Sequence, residues 1–216
     1  MFRFTQFILF RGDRMKVKDI YQTMVEDWKW VRLGEVCKVE VGFPFKSQEF
    51  IEDDDGIPII DIENFEDNRI ILNETNIYLP HNKIQFYEDF ITRENDILIS
   101  LSGATIGKVG IVKDIEIALF NQRVGRFNIN TNQINKTFLF FLLNSNEFYN
   151  FVLNRFATSS QSNISPSVIE SFEFPLPPLP EQEIIVFLLQ MIGNPIKMMD
   201  KIIKRYKRIK QGFKQD

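Results

Sequence analysis

The sequence predicts an α+β protein in two parts, a mixed strand-rich body at about residues 28–175 and a helical (coiled-coil) arm at 181–216. Three observations carry this. Short apolar stretches with period-two alternation, best seen in Asp96-Ile-Leu-Ile-Ser-Leu-Ser102, are separated by turn-forming residues. From Lys136 to Phe156 the period switches, and Phe138, Phe141, Leu142, Phe148, Val152 and Phe156 fall near helical spacing. Between Phe172 and Gln182 the chain then meets Pro175, Pro177, Pro178 and Pro180. Prolines fix φ and remove backbone donors, so neither a central strand nor a helix interior is expected there. A stiff polyproline-like bridge at 176–180 is expected to divide body from arm.

Taken in order, residues 1–27 form an N-terminal extension of unassigned role. Trp30-Val-Arg-Leu-Gly-Glu-Val-Cys-Lys-Val-Glu-Val41 is a strand-forming lead-in to the body, and Gly42-Phe-Pro-Phe-Lys46 a turn. Ile57-Pro-Ile-Ile-Asp-Ile62 is a buried-strand candidate between acidic loops, and Tyr78-Leu-Pro80 ends another extended piece. The stretch 96–102 turns through Gly103-Ala-Thr-Ile-Gly-Lys108 into Val109-Gly-Ile-Val112, a hairpin-like unit. Ala118 to Phe127 gives one further strand. After the helical stretch, 158–165 is a polar loop and Ser165-Pro166 a helix start.

Beyond the bridge, Pro180-Glu-Gln-Glu183 places a proline and acids where a helix start favours them. Ile185, Leu188, Ile192, Ile196, Met199, Ile203 and Tyr206 keep a three-to-four spacing, widened by Ile202, Ile209 and Phe213. Gly193-Asn-Pro195 interrupts this stripe, with Asn194 as a cap and a kink or break at Pro195. Such a stripe needs a partner: the chain's own body, a second copy, or another protein.

The 216 residues suffice for one good core plus an appendage, and 22 phenylalanines supply core material. A single cysteine, Cys37, excludes an internal disulfide and fits a reducing cytoplasm. No apolar run approaches the roughly 20 residues that span a bilayer, so a soluble cytoplasmic protein with no membrane partner is expected. Net charge is −3, but residues 197–216 hold eight basic residues against two aspartates, leaving the remainder near −9. That balance does not by itself advertise nucleic acid, although local basic loops still attract phosphate.

Catalytic and cofactor motifs are not found. Gly103 to Lys108 is one residue short of a phosphate-loop spacing and is followed by Val109 instead of Ser or Thr. It reads as a turn requiring small residues, with Ser100, Ser102, Thr105 and Lys108 on its rim. Asn194-Pro195 lacks the rest of an adenine-methyltransferase motif. His81 stands alone, and Asp53 to Asp55 lacks the alternation of a calcium loop. Gln122, Arg123 and Arg126, with the polar residues from Ser159 to Asn163, are types that read base edges, and also types that decorate ordinary surfaces.

Several segments together resemble the specificity subunit of type I restriction-modification systems (HsdS). They are Trp30-Val-Arg-Leu-Gly-Glu-Val36, Asp96 to Val109, Asn121-Gln-Arg-Val124, Gln161-Ser-Asn-Ile-Ser165, Phe174-Pro-Leu-Pro-Pro-Leu-Pro-Glu-Gln182 and Tyr206 to Gln215. The resemblance implies a target recognition domain followed by a helical region. Relatives carry two such pairs, their helical regions packed antiparallel as a spacer, and read two parts of a split DNA site. It further implies that the chain is no enzyme and binds no cofactor, S-adenosylmethionine belonging to a partner modification (methyltransferase) subunit, with a restriction subunit as a further partner. This chain holds one pair, which suggests a half-length form that homodimerises through the arm and reads a split palindrome. An unbroken arm of about 30 residues would be roughly 45 Å long, on the order of 13 base pairs. Lys108, Gln122, Arg123, Arg126, Gln161 and Asn163 are the expected DNA contacts. A coiled-coil interaction module with no DNA role is the alternative.

Overall fold

A computed structural model describes residues 28–51, 55–73, 76–158 and 162–192, and among these residues twelve short strands form three sheets packed with five helices. The extension at 1–27, Asp53 and Asp54, Gln161, and the arm past residue 192 with Asn194, Pro195, Ile196, Met199, Ile203 and Tyr206 lie outside the described residues.

The organising layer is a six-stranded sheet of β2 (Cys37–Val41), β11 (Val124–Ile129), β8 (Ile97–Ser100), β9 (Val109–Val112), β5 (Arg69–Ile70) and β4 (Phe65–Glu66), in that spatial order. Strand β8 pairs antiparallel with both β9 and β11, so the expected hairpin forms. Its turn places Gly103 and Gly107 at φ of 70° and 78°, the left-handed region that favours glycine. Between β4 and β5, Asp67 and Asn68 both take positive φ, as a two-residue hairpin turn demands.

Alternation along β8 divides the interior. Ile97 and Ile99 point into a core shared with the helices α2 (Lys136–Leu143), α3 (Asn146–Ala157) and α4 (Pro166–Glu170). Leu98 points the other way, into a core shared with Ile60, Ala118 and Phe120 of a second sheet. That sheet has the order β6 (Ile77–Leu79), β3 (Ile57–Ile60), β10 (Ala118–Phe120) and β7 (Ile91–Thr92), with β3 and β10 parallel. Helices, central sheet and second sheet are therefore stacked layers, each burying one face of the next. Among the described residues no helix is long and apolar enough to cross a membrane.

Four expectations need correction. The lead-in strand from Trp30 to Val41 is β1 (Lys29–Arg32), a helical turn α1 (Leu33–Val36) and β2. The Glu35 carboxylate accepts from Arg32 N at 2.8 Å and Phe172 O takes Leu33 N at 2.8 Å, which satisfies the turn's leading donors. The single strand expected from Ala118 to Phe127 is two, β10 and β11, in different sheets with a corner at residues 121–123. Gly42 makes that corner possible: a Cβ there would lie 2.2 Å from Phe120 O. The long helix from Lys136 splits because Asn144 closes α2, and the Ser145 side chain accepts from Phe148 N at the start of α3.

The last correction concerns the bridge. Pro175 lies within a strand, β12 (Glu173–Leu176), opposite Trp30 of β1. The β1–β12 ribbon has two strands only, so a proline on it forfeits no central ladder bond. Only Pro177 and Pro178 remain as linker, and the arm helix α5 starts at residue 179 and is described to residue 192. Its Ile185 and Val186 pack against the helix-side core, so the root of the arm is part of the body.

Phe148 is fully buried and sets its ring edge against Phe172 at 5.2 Å between centroids. Phe148→Ala is expected to cost about 3–5 kcal/mol, read as a lower urea midpoint at unchanged slope.

Candidate nucleic-acid interface

The base of the site is the turn from β8 to β9. Ser100 and Ser102 were expected on its rim but are buried, and their hydroxyls brace it from within. Ser100 Oγ lies 2.9 Å from Thr105 Oγ1, which donates to Ile62 O at 3.0 Å. On one side, Leu101 N donates to Arg123 O at 2.8 Å. On the other, Leu101 O accepts from Ile164 N at 2.9 Å, and Ser102 bridges to Asn163. Three segments distant in sequence thus meet along two residues.

Those contacts assemble polar side chains at one end of the six-stranded sheet. Gln122 and Asn163 are exposed, and Arg123 lies between them, donating from Nε to Ser102 Oγ at 2.9 Å. The corner is held by Gln122 N on Phe43 O at 3.1 Å and Arg123 N on Asn121 Oδ1 at 3.2 Å. Lys108 is exposed at the far side of the same turn. It lines a cleft of about 330 Å³ with Asp67, Asn68, Asn144, Asn146 and Tyr149. Lys108, Gln122, Arg123 and Asn163 are therefore brought to one end, as a surface reading a duplex requires. Asn68 and Asn146 join them and were missed. The Asp67-Asn68 pair, a hairpin-turn dipeptide, was the signal for the first.

Arg126, expected among the DNA contacts, is engaged inside the protein. Its Nε and one terminal nitrogen donate to Glu40 Oε2 at 3.1 and 2.7 Å. Its remaining bonds go to Ile91 O at 2.7 Å and Asp89 O at 2.8 Å, and the guanidinium covers the Phe120 ring at 5.0 Å. It ties the central sheet to the segment leading into β7, beside a cleft of about 730 Å³ lined by Glu40, Asp89, Arg93 and Asp96.

Elsewhere, burial and the nearby Glu170 push the Cys37 thiol up to about 12, where it is no nucleophile. Among the described residues no three His, Cys, Asp or Glu side chains gather as metal ligands would.

The arm presents two faces. Inward, Gln182 is fully buried, with Ile185 and Val186 half-buried beside it. Outward, Ile184, Phe187, Leu188, Met191 and Ile192 are 45–60% exposed, a stripe at i, i+3, i+4, i+7 and i+8. Leu188 and Ile192 were expected on the free stripe and lie on it. Ile185 faces the body instead. Ile184, Phe187 and Met191 complete the stripe and were not anticipated.

A family model described as the type I restriction modification DNA specificity domain matches residues 25–208. The chain is 34% identical over 190 residues to the type I restriction enzyme MjaVIII specificity subunit of Methanocaldococcus jannaschii, covering 86% of this chain and 44% of that one. It is 28% identical over 191 residues to the EcoAI specificity subunit of Escherichia coli, covering 85% and 31%. It thus spans less than half the length of these relatives. Among solved structures, the HsdS subunit from Thermoanaerobacter tengcongensis shares the fold with a TM-score of 0.60 at 21% identity, covering 82% of this chain and 40% of that one. The S subunit from M. genitalium does so at 0.53 and 18%, covering 82% and 43%.

Burial acts to raise the Glu40 carboxyl, but bonds from Arg126 and Asn128 outweigh it and hold the group below its ordinary value. A carboxyl held low in the folded state stabilises the fold above its unfolded-state value, and that stabilisation is lost as pH falls through the folded-state value. Glu40→Gln is expected to melt below the parent protein at about pH 7 and to converge with it towards about pH 3. Parallel melts across that range check this.

Proposed function

The chain belongs to the type I restriction-modification DNA specificity family, and from that premise we propose that it is the part of such a system that reads sequence. Its body serves as the target recognition domain for one half of a split double-stranded site. Its arm joins it to a second copy, and the assembly presents DNA to a modification subunit and to a restriction subunit. Methyl transfer from S-adenosylmethionine belongs to the modification subunit, and this chain performs no chemistry of its own. The observation that carries the reading is the gathering of Gln122, Arg123, Asn163 and Lys108 at one end of the central sheet, on loops braced by buried hydroxyls. Arg and Asn or Gln side chains are the types that pair with guanine and adenine edges, and rigid loops present them in fixed geometry.

A second copy suits the outward stripe because Ile184, Phe187, Leu188, Met191 and Ile192 are self-complementary apolar surface. A two-fold axis sets two arms antiparallel with a recognition domain at each end, so the target is a split palindrome. Methylome sequencing of a host expressing this chain with its modification subunit tests the whole reading. A split, inverted-repeat methylated site is expected, and methylation without sequence preference would overturn it.

Two substitution experiments follow from the geometry. Arg123→Ala is expected to lose about 1–3 kcal/mol of discrimination at one base position, whereas Lys108→Ala should weaken all sequences alike and reduce the salt slope by about 0.9. Competitive binding at several salt concentrations separates the two. Leu188→Glu is expected to yield monomers that melt like the parent protein but lose the full site, as read by sedimentation and gel shift. A parent protein that sediments as a monomer, alone and with its modification subunit, would sink the dimer.

A further inference from the structure

We propose that Gln182, seconded by the Trp28–Glu181 bond, is a positioning residue that sets the direction of the arm relative to the recognition domain and thereby fixes the gap between the two half-sites. This rests on the reading above, in which two arms join two domains across a split site. A two-residue linker, Pro177 and Pro178, leads into the helix, so the direction of α5 is decided by what its first turns grip. Gln182 is fully buried there. Its Oε1 accepts from Asn135 N at 2.7 Å, and its Nε2 donates to Pro177 O at 2.8 Å and Gln133 O at 3.3 Å. One planar amide thus holds the helix to the loop before α2 and to the linker at once, which fixes rotation as well as position. On the adjoining residue, Glu181 Oε2 accepts from Trp28 Nε1 at 2.8 Å and ties the same turn to the chain before β1. From Phe187 to Ile192 every arm residue is exposed, so among the described residues the grip lies at the root.

The lever is long enough for this to matter. A tilt of about 10° at the root moves a point about 30 Å along the arm by about 5 Å, more than the roughly 3.4 Å rise of one base pair. Each base pair added to the gap also rotates a half-site by about 35°. A loose root therefore tolerates gaps that a fixed root rejects.

The test uses the full chain in two readouts. Nitroxide labels at Asn150→Cys on the body and Gln190→Cys on the arm, in a doubly labelled chain diluted into excess unlabelled parent chain, give the distance distribution within one chain, the buried Cys37 thiol staying unlabelled. The parent protein is expected to give one narrow distance, Gln182→Ala a broad one, and Trp28→Phe an intermediate width. Binding to duplexes whose gap changes by one base pair at a time is expected to fall about tenfold beside the optimum for the parent. For Gln182→Ala it should vary less than about threefold across neighbouring gaps, with the half-site bases unchanged. A Gln182→Ala protein that keeps both the parent's distance width and its gap optimum overturns the proposal. If Gln182→Ala does not fold, Trp28→Phe decides alone, and no change in either readout overturns it. If the parent binds no split site at any gap, the reading of function fails, and the label distances still judge the grip.

Discussion

Strand β8 is buried on both faces at all four positions, and this constraint reaches as far as the surface. Its three apolar residues serve two cores, which fixes the central sheet between the helices and the second sheet. Its last residue is Ser100, a hydroxyl with no water to meet. An unpaired polar group in that position costs about 1–3 kcal/mol, so the following turn must fold back to satisfy it. Ser102 O and Thr105 Oγ1 do so. The turn that results offers the backbone of Leu101 to Arg123 on one side and Ile164 on the other. The polar site at the sheet's end is therefore a consequence of how a buried strand ends.

The parts of the fold legible in the sequence are those decided locally. The β8–β9 hairpin was readable because alternation, two glycines and a second apolar run all agree, and the start of α4 because Pro166 stands at its first position. The division between β10 and β11 was not. The corner Asn121-Gln-Arg123 is three polar residues between two apolar runs, without a proline or glycine of its own to mark it, and what allows the turn is Gly42, some eighty residues earlier. The same holds for Pro175. A strand containing proline is disfavoured in a sheet of several strands, but the ribbon with β1 offers it an outer edge, and ribbon membership is a tertiary fact.

At the site, residue type was a good guide to the loops and a poor one to individual arginines. Arg123 and Arg126 are three apart across the start of a strand, and side chains an odd number apart in a strand point to opposite faces. Arg123 stays at the sheet's end, against the turn. Arg126 turns onto Phe120 and meets Glu40 across the β2–β11 ladder. Nothing local separates the two. The acid that captures Arg126 lies 86 residues away, so only pairing register reveals that one arginine ties two sheets together while the other rests on Ser102 at the sheet's end.

The arm shows the same limit from the opposite direction. Periodicity orients an amphipathic helix with its apolar stripe towards the core, and on that rule Gln182 belongs outside. At the root the rule fails because the surface under α5 is not apolar: it presents the N–H of Asn135 and the carbonyls of Gln133 and Pro177. Only a side chain with both a donor and an acceptor satisfies such a surface, so Gln182 turns inward with Ile185 and Val186. The rotation this imposes carries Ile184, Phe187, Leu188 and Met191 to the far side, in water. A contiguous apolar stripe of that kind is costly to leave uncovered. The buried glutamine and the exposed stripe are thus one feature of the helix, the inward polar grip being what frees the apolar face for a partner.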